Sequence, residues 1–116
     1  VTLAFFLITG LTIVLNLVFA IADYLRAEFV LANSGRVHIP RSWLTLLGTA
    51  KLAGALGLAA GLFGLRYLGI AAGAGLVLFF TGAVVAHLRA RVLDTMAFPA
   101  VIFALCGASL WLTIAH

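Results

Sequence analysis

Asp23, Lys51 and His87 stand in otherwise apolar runs, and their types and spacing could do chemistry. Lys51 is the only lysine in the chain, inside GTAKLAGALGLAAGLFG (residues 48–64), a stretch made almost wholly of Ala, Leu and Gly. An ammonium at the centre of a bilayer costs about 2.5–3.5 kcal/mol on insertion scales, so it calls for a partner or a purpose. Lys51 follows Trp43 by roughly 12 Å of helix, and a helical side chain leans back toward its N-terminus. Its stem therefore points to the edge where Asp23 ends one apolar run and His87 ends another. Arg26, one turn beyond Asp23, is expected to reach the same group. Two chemistries fit. In one, Lys51 snorkels, Asp23 neutralises it and His87 caps a helix. In the other, the cluster floors an intramembrane pocket: Lys51 binds an acidic or carbonyl head, or loses its proton on desolvation, and His87 moves a proton. Lys51 and His87 are then the candidate catalytic base and acid. Asp23, Lys51, His87 and Arg26 form the ligand-binding or ion-pair cluster.

The elements that would position these residues are membrane spans. The chain has 116 residues, of which 66% are hydrophobic and 9% charged. Soluble domains carry about a quarter charged residues, so this chain could not cover a water-facing surface. Apolar segments lie at about 2–24, 43–63, 68–88 and 97–115, each near the ~20 residues that cross a bilayer. The expected fold is all-α: a single transmembrane domain over residues 1–116, an integral membrane four-helix bundle with antiparallel helices. No soluble domain is left over, so any active site lies in or at the edge of the bilayer. Segment one has no basic region ahead of it and leads to no cleavage-like site, so it reads as a span rather than a signal peptide. The chain opens on Val1, which leaves room for a missing Met or short leader.

Segment one is expected to stay helical beyond the membrane edge, to about residue 33, and to stop at Asn33-Ser34-Gly35 with Gly35 free for a left-handed cap. Ser42 reads as the N-cap of segment two, and Asp94 or Thr95 as that of segment four, with Pro99 in its tolerant first turns. The tight connection Gly64-Leu65-Arg66-Tyr67 makes segments two and three a hairpin. Connections one and three share a side and, with the end of segment one, hold Arg26, Arg36, Arg41, Arg89 and Arg91, against Arg66 alone on the other. The positive-inside rule then predicts a multi-pass protein of the cell membrane, with loops one and three cytoplasmic and both termini outside.

At 100° per residue, Thr9, Thr12, Asn16 and Asp23 fall within about 60° of one another, a polar stripe that should face the protein interior. Thr95, Pro99, Cys106, Ser109 and Thr113 share a face of segment four, although Ser and Thr also bond their own backbone. Gly48, Gly54, Ala55 and Gly61 flank the face of Lys51, and Gly57–Gly61 and Gly69–Gly73 have GxxxG spacing. Such faces either pack helices closely or leave room for a ligand.

Several classes are disfavoured. The net charge of +4 resides in arginines that flank spans, so nucleic acid is not an expected partner. One cysteine, Cys106, makes no internal disulfide and no CxxC pair, and reads as a small packing residue. His38 reads as a solvated loop residue and His116 as terminal, which leaves His87 alone within the spans and disfavours haem. No metal-ligand spacing, nucleotide loop or catalytic triad is present, and no cofactor is implied by a motif.

SWLTLLGTAKLAGALGLAAGLFG, the tight basic turn after it, and GIAAGAGLVLFFTGAVVAHLRARV together resemble the DoxX-like family, in the branch common in actinobacteria. FAIADYLR at the end of segment one and AFPAV at the start of segment four fit as well. The resemblance implies a four-helix membrane bundle. The family takes its name from a subunit associated with thiosulfate:quinone oxidoreduction, and some relatives are linked to membrane redox partners. Many members carry an acidic residue where this chain has Lys51, and a lysine near the end of segment one, where this chain has Asp23 and Arg26. The implied common element is an ion pair, and no catalytic set carries over. The leading expectation is therefore a membrane protein that binds a lipid or quinone-like molecule or supports a membrane redox partner. The alternatives are a small membrane enzyme using Lys51 and His87 as base and acid, and an oligomeric transporter or channel subunit joined through the glycine-rich helices two and three.

Overall fold

Each apolar segment forms one long helix in the computed structural model, which describes residues 2–115; Val1 and His116 lie outside the described residues. The helices are α1 (Thr2–Leu25), α2 (Glu28–Arg36), α3 (Leu44–Leu62), α4 (Arg66–Arg89) and α5 (Ala97–Ala115), with a single 3-10 turn at Arg41–Trp43 before α3. All but α2 are long and apolar enough to cross a membrane. The four spans make a ring in which α1 packs on α3, α3 on α4, α4 on α5, and α5 back on α1. The longest dimension is 39 Å, so the ends of the bundle reach past ~30 Å of hydrocarbon.

The distribution of polarity is that of a protein dissolved in lipid. Thr9, Thr12, Asn16, Asp23, His87, Ser109 and Thr113 are buried, while Leu3, Leu7, Val14, Ile21, Leu46, Leu78 and Trp111 are exposed. Lipid tails solvate the outer side chains, and the polar groups turn inward, where partners exist. Leu58, Leu76, Phe80, Ile102 and Cys106 form the apolar centre.

Glycine sets how closely α3 approaches its neighbours. A Cβ on Gly61 would lie 2.8 Å from Gly69 Cα, and one on Gly54 or Gly57 would collide with Leu76 or Ala72 of α4. Gly48 meets α1 at the Ala20 carbonyl and Asp23, and Gly73 meets Leu110 of α5. These small faces are engaged within one chain.

The connections differ from expectation. Segment one does not continue unbroken to residue 33. It ends at Leu25, Arg26 turns left-handed (φ 50°), and α2 starts afresh at Glu28. The Asn33-Ser34-Gly35 stop is also displaced: α2 runs through Gly35 and Arg36, and the left-handed residue is His38 (φ 63°). One mechanism explains both. The amide of Ala27 donates to the Ala22 carbonyl and that of Arg26 to Asp23, and Ile39 donates to Ser34 and His38 to Gly35. These paired reverse bonds are the Schellman closure, which satisfies the last carbonyls of a helix. The same closure ends α3 at Gly64 and α4 at Arg91. Only one of the four left-handed positions is glycine, so glycine placement is a poor guide to these stops. Ser42 does not cap α3 with its side chain, because the 3-10 turn leads directly into the helix. Asp94 and Thr95 are committed to Arg36 and Asn33 respectively.

Candidate functional site

Asp23 and Lys51 meet. Asp23 is in the last turn of α1, and Lys51 Nζ donates to its Oδ2 at 2.7 Å, with side-chain exposures of 12% for Lys51 and 3% for Asp23. A carboxylate at a helix C-terminus faces the negative end of the helix dipole, so α1 alone disfavours Asp23 there and the ammonium of α3 offsets it. Gly48 lets α3 lie against α1 beside Asp23, which brings Lys51 within reach. The ammonium also sits over the rings of Phe19 and Phe79, 5.9 and 5.6 Å from their centroids. The acceptor and two aromatic faces hold the cation in an otherwise apolar setting.

His87, in the last turn of α4, bonds elsewhere. Its Nδ1 lies 2.9 Å from the Ala83 carbonyl and its Nε2 3.3 Å from Asn33 Oδ1, which also accepts from the Thr95 hydroxyl at 2.8 Å. A neutral ring that donates Nδ1–H to Ala83 leaves Nε2 as an acceptor, and Asn33 must then turn its amide NH2 toward it. An imidazolium donates from both nitrogens and fits the carbonyl of Asn33 instead. The His87–Asn33–Thr95 chain thus joins α4, α2 and the last connection through groups that can accommodate a proton.

Both clusters line one cavity of ≈ 810 Å³ inside the bundle. The four spans form its walls and α2 its roof, with Phe29, Val30 and Asn33 facing in. Trp43 and Leu47 line it from the start of α3, and Phe98, Pro99 and Ile102 from α5. Gly82 also lines it, and a Cβ there would meet nothing within 4 Å. A largely apolar hollow of this size with a few convergent polar groups is the usual form of a small-molecule site. A second hollow of ≈ 650 Å³ between α3 and α4 is lined only by Ala, Gly, Leu and Phe.

Arg26 does not join the group. Its side chain is half-buried, makes no ion pair among the described residues, and does not line the cavity, because the left-handed turn at this residue redirects the chain. Thr9, Thr12 and Asn16 lie deeper and form a separate seam. Thr9 and Ser109 share a hydroxyl hydrogen bond of 2.8 Å between α1 and α5, Thr12 donates to its own helix at Ile8, and Asn16 Nδ2 donates to the Thr12 carbonyl. Asn16 Oδ1 is buried without a hydrogen-bond partner among the described residues. His38 is exposed in the first connection. Among the described residues, no His, Cys, Asp and Glu group could hold a metal ion.

Asn33 and Thr95 escaped sequence reading as site residues. Their types suit helix stops and caps, and only the fold of α2 across the end of the bundle brings them to His87. Arg66 is similar: at the far end it donates to the Thr113 and Ile114 carbonyls and closes the C-terminus of α5.

A model of the DoxX-like family matches residues 7–109, a stretch that takes in the cavity and both polar clusters. No curated protein and no solved structure matches the chain.

Proposed function

The chain belongs to the DoxX-like family, and from that premise we propose that this integral membrane protein binds a lipophilic small molecule, lipid or quinone-like, within its bundle. The observation that carries the reading is the partly open cavity of ≈ 810 Å³ lined by a single chain, with Lys51 and His87 both on its lining. The apolar walls take the lipophilic body. The polar clusters near the α2 end fix its head. One chain supplies every residue of this lining, which supports a binding or redox-accessory role. Native mass spectrometry of gently solubilised protein, wild type beside Lys51→Met, tests it. The expected result is a small molecule retained by the wild type and lost from the variant. A wild type that carries nothing and takes up no lipophile would sink the reading.

A second reading is a small membrane enzyme acting on the same class of molecule, favoured by the proton-accommodating chain at His87. Lys51, hydrogen-bonded to Asp23, then serves as a charged donor rather than a base. Turnover that disappears in His87→Ala while the fold survives would select this reading. The cavity end carries Arg26, Arg36, Arg41, Arg89 and Arg91, and we assign it to the cytoplasm. Labelling from outside intact cells of a cysteine introduced between residues 35 and 41 would overturn that orientation.

A further inference from the structure

The charges around the cavity restrict what its ligand can be. Six arginines belong to this chain, and none lines the cavity. Its charged lining consists of Asp23 and Lys51, and these neutralise each other at 2.7 Å. His87, the remaining titratable group on the lining, is engaged by the Ala83 carbonyl and Asn33. An anionic head would bring an unbalanced charge into a low-dielectric space and would compete with Asp23 for an ammonium already engaged. A cationic head would meet a carboxylate already paired. Either gives up hydration that a charge-balanced lining replaces only in part.

An uncharged head meets different terms. An ammonium has three N–H donors, and Lys51 Nζ uses one on Asp23. No other acceptor bonds it among the described residues, and it lies over the faces of Phe19 and Phe79. Nζ thus retains donor capacity at the cavity wall without giving up its counter-ion. A carbonyl or ether oxygen can accept from it while the ion pair stays intact, and the two rings can flank a flat or unsaturated head.

We propose that the cavity selects lipophiles whose head is an uncharged hydrogen-bond acceptor, with Lys51 as the donor and Asp23 as the residue that keeps that donor charged but electrically balanced. The proposal rests on the binding reading above and names its ligand class.

The test uses three probes with one sixteen-carbon chain and different heads: methyl palmitate (uncharged acceptor), palmitate (anion) and hexadecylamine (cation). Each is titrated at pH 8 into the full chain in an uncharged detergent, and binding is read by tryptophan fluorescence and native mass spectrometry. Trp43 lines the cavity and reports directly. Wild type should bind the ester on the order of tenfold or more tightly than either charged probe. The Asp23→Asn, Lys51→Met double variant removes the donor together with its counter-ion, so it avoids a stranded charge; it should lose that preference by weakening ester binding. Gly82→Leu, which fills open space, should weaken all three probes together. Tighter binding of palmitate or hexadecylamine by the wild type would overturn the charge-balance proposal and leave the binding reading intact. Failure of all three to bind would overturn both.

Discussion

Two polar regions share the interior of this bundle, and they have different fates. The seam of Thr9, Thr12, Asn16, Ser109 and Thr113 between α1 and α5 is uncharged and tightly packed. Its hydroxyls bond their own helices or one another, as Thr113 does with the Ser109 carbonyl. The second region, Asp23 with Lys51 and His87 with Asn33 and Thr95, borders an open cavity and holds charges and unspent donors. A buried polar residue in a membrane protein therefore does not announce its role by type. Apart from Asn16 Oδ1, the seam has satisfied its groups locally, and it lines neither cavity, which is the behaviour of helix-packing glue. The cavity region has satisfied its groups across helices and left volume beside them, which is the behaviour of a site.

Charge removal separates the two most sharply. Asp23→Asn strands the Lys51 ammonium, and breaking a buried pair from one side costs about 3–5 kcal/mol. Thermal unfolding in detergent should show that loss, and adding Lys51→Met should recover much of it. A double-mutant cycle with no coupling would remove the ion pair from the description. In the seam, Thr9→Val deletes the hydroxyl pair with Ser109. Interhelical hydrogen bonds of this kind average about 0.6 kcal/mol, so only a small fall in Tm is expected. The effect should add to that of Asp23→Asn, because the sites share no partner. A large or strongly non-additive loss at Thr9 would mean that the seam and cavity act as one unit.

The smallest effect lies outside both regions, where Arg36 makes a bidentate contact with Asp94 at 2.9 and 2.5 Å and ties α2 to the last connection. The hydrogen bond from Arg36 holds the Asp94 carboxyl below its ordinary range and pushes the guanidinium up. A depressed carboxyl contributes stability above its unfolded pKa of about 3.9 and loses it as pH falls through its lower folded value. Both groups are well exposed, so the contribution is slight and screened by salt. Protection of the α2 amides, relative to their intrinsic exchange rates, should fall modestly below about pH 4 in the wild type, while Asp94→Asn should show the lower protection already at neutral pH. If the roof helix exchanges identically in both proteins at neutral pH, this pair does not hold it down.

By itself, the sequence determined the solvent, the number of spans and the inward faces. Those follow from composition and from a 3.6-residue period, which are local along the chain and need no tertiary information. It also pointed to Asp23, Lys51 and His87, because an ionisable group in an apolar run is conspicuous wherever it lies. Only the tertiary structure decided how they are partnered. It turned the chain at Arg26, leaving that side chain off the cavity, and it laid α2 across the end of the bundle so that Asn33 meets both His87 and Thr95. Both outcomes depend on left-handed helix closures at Arg26, His38 and Arg91, residues that carry no glycine signal. A left-handed residue costs about 1–2 kcal/mol, little enough for the packing of whole helices to impose it. Where the chain turns is therefore settled by what it turns onto.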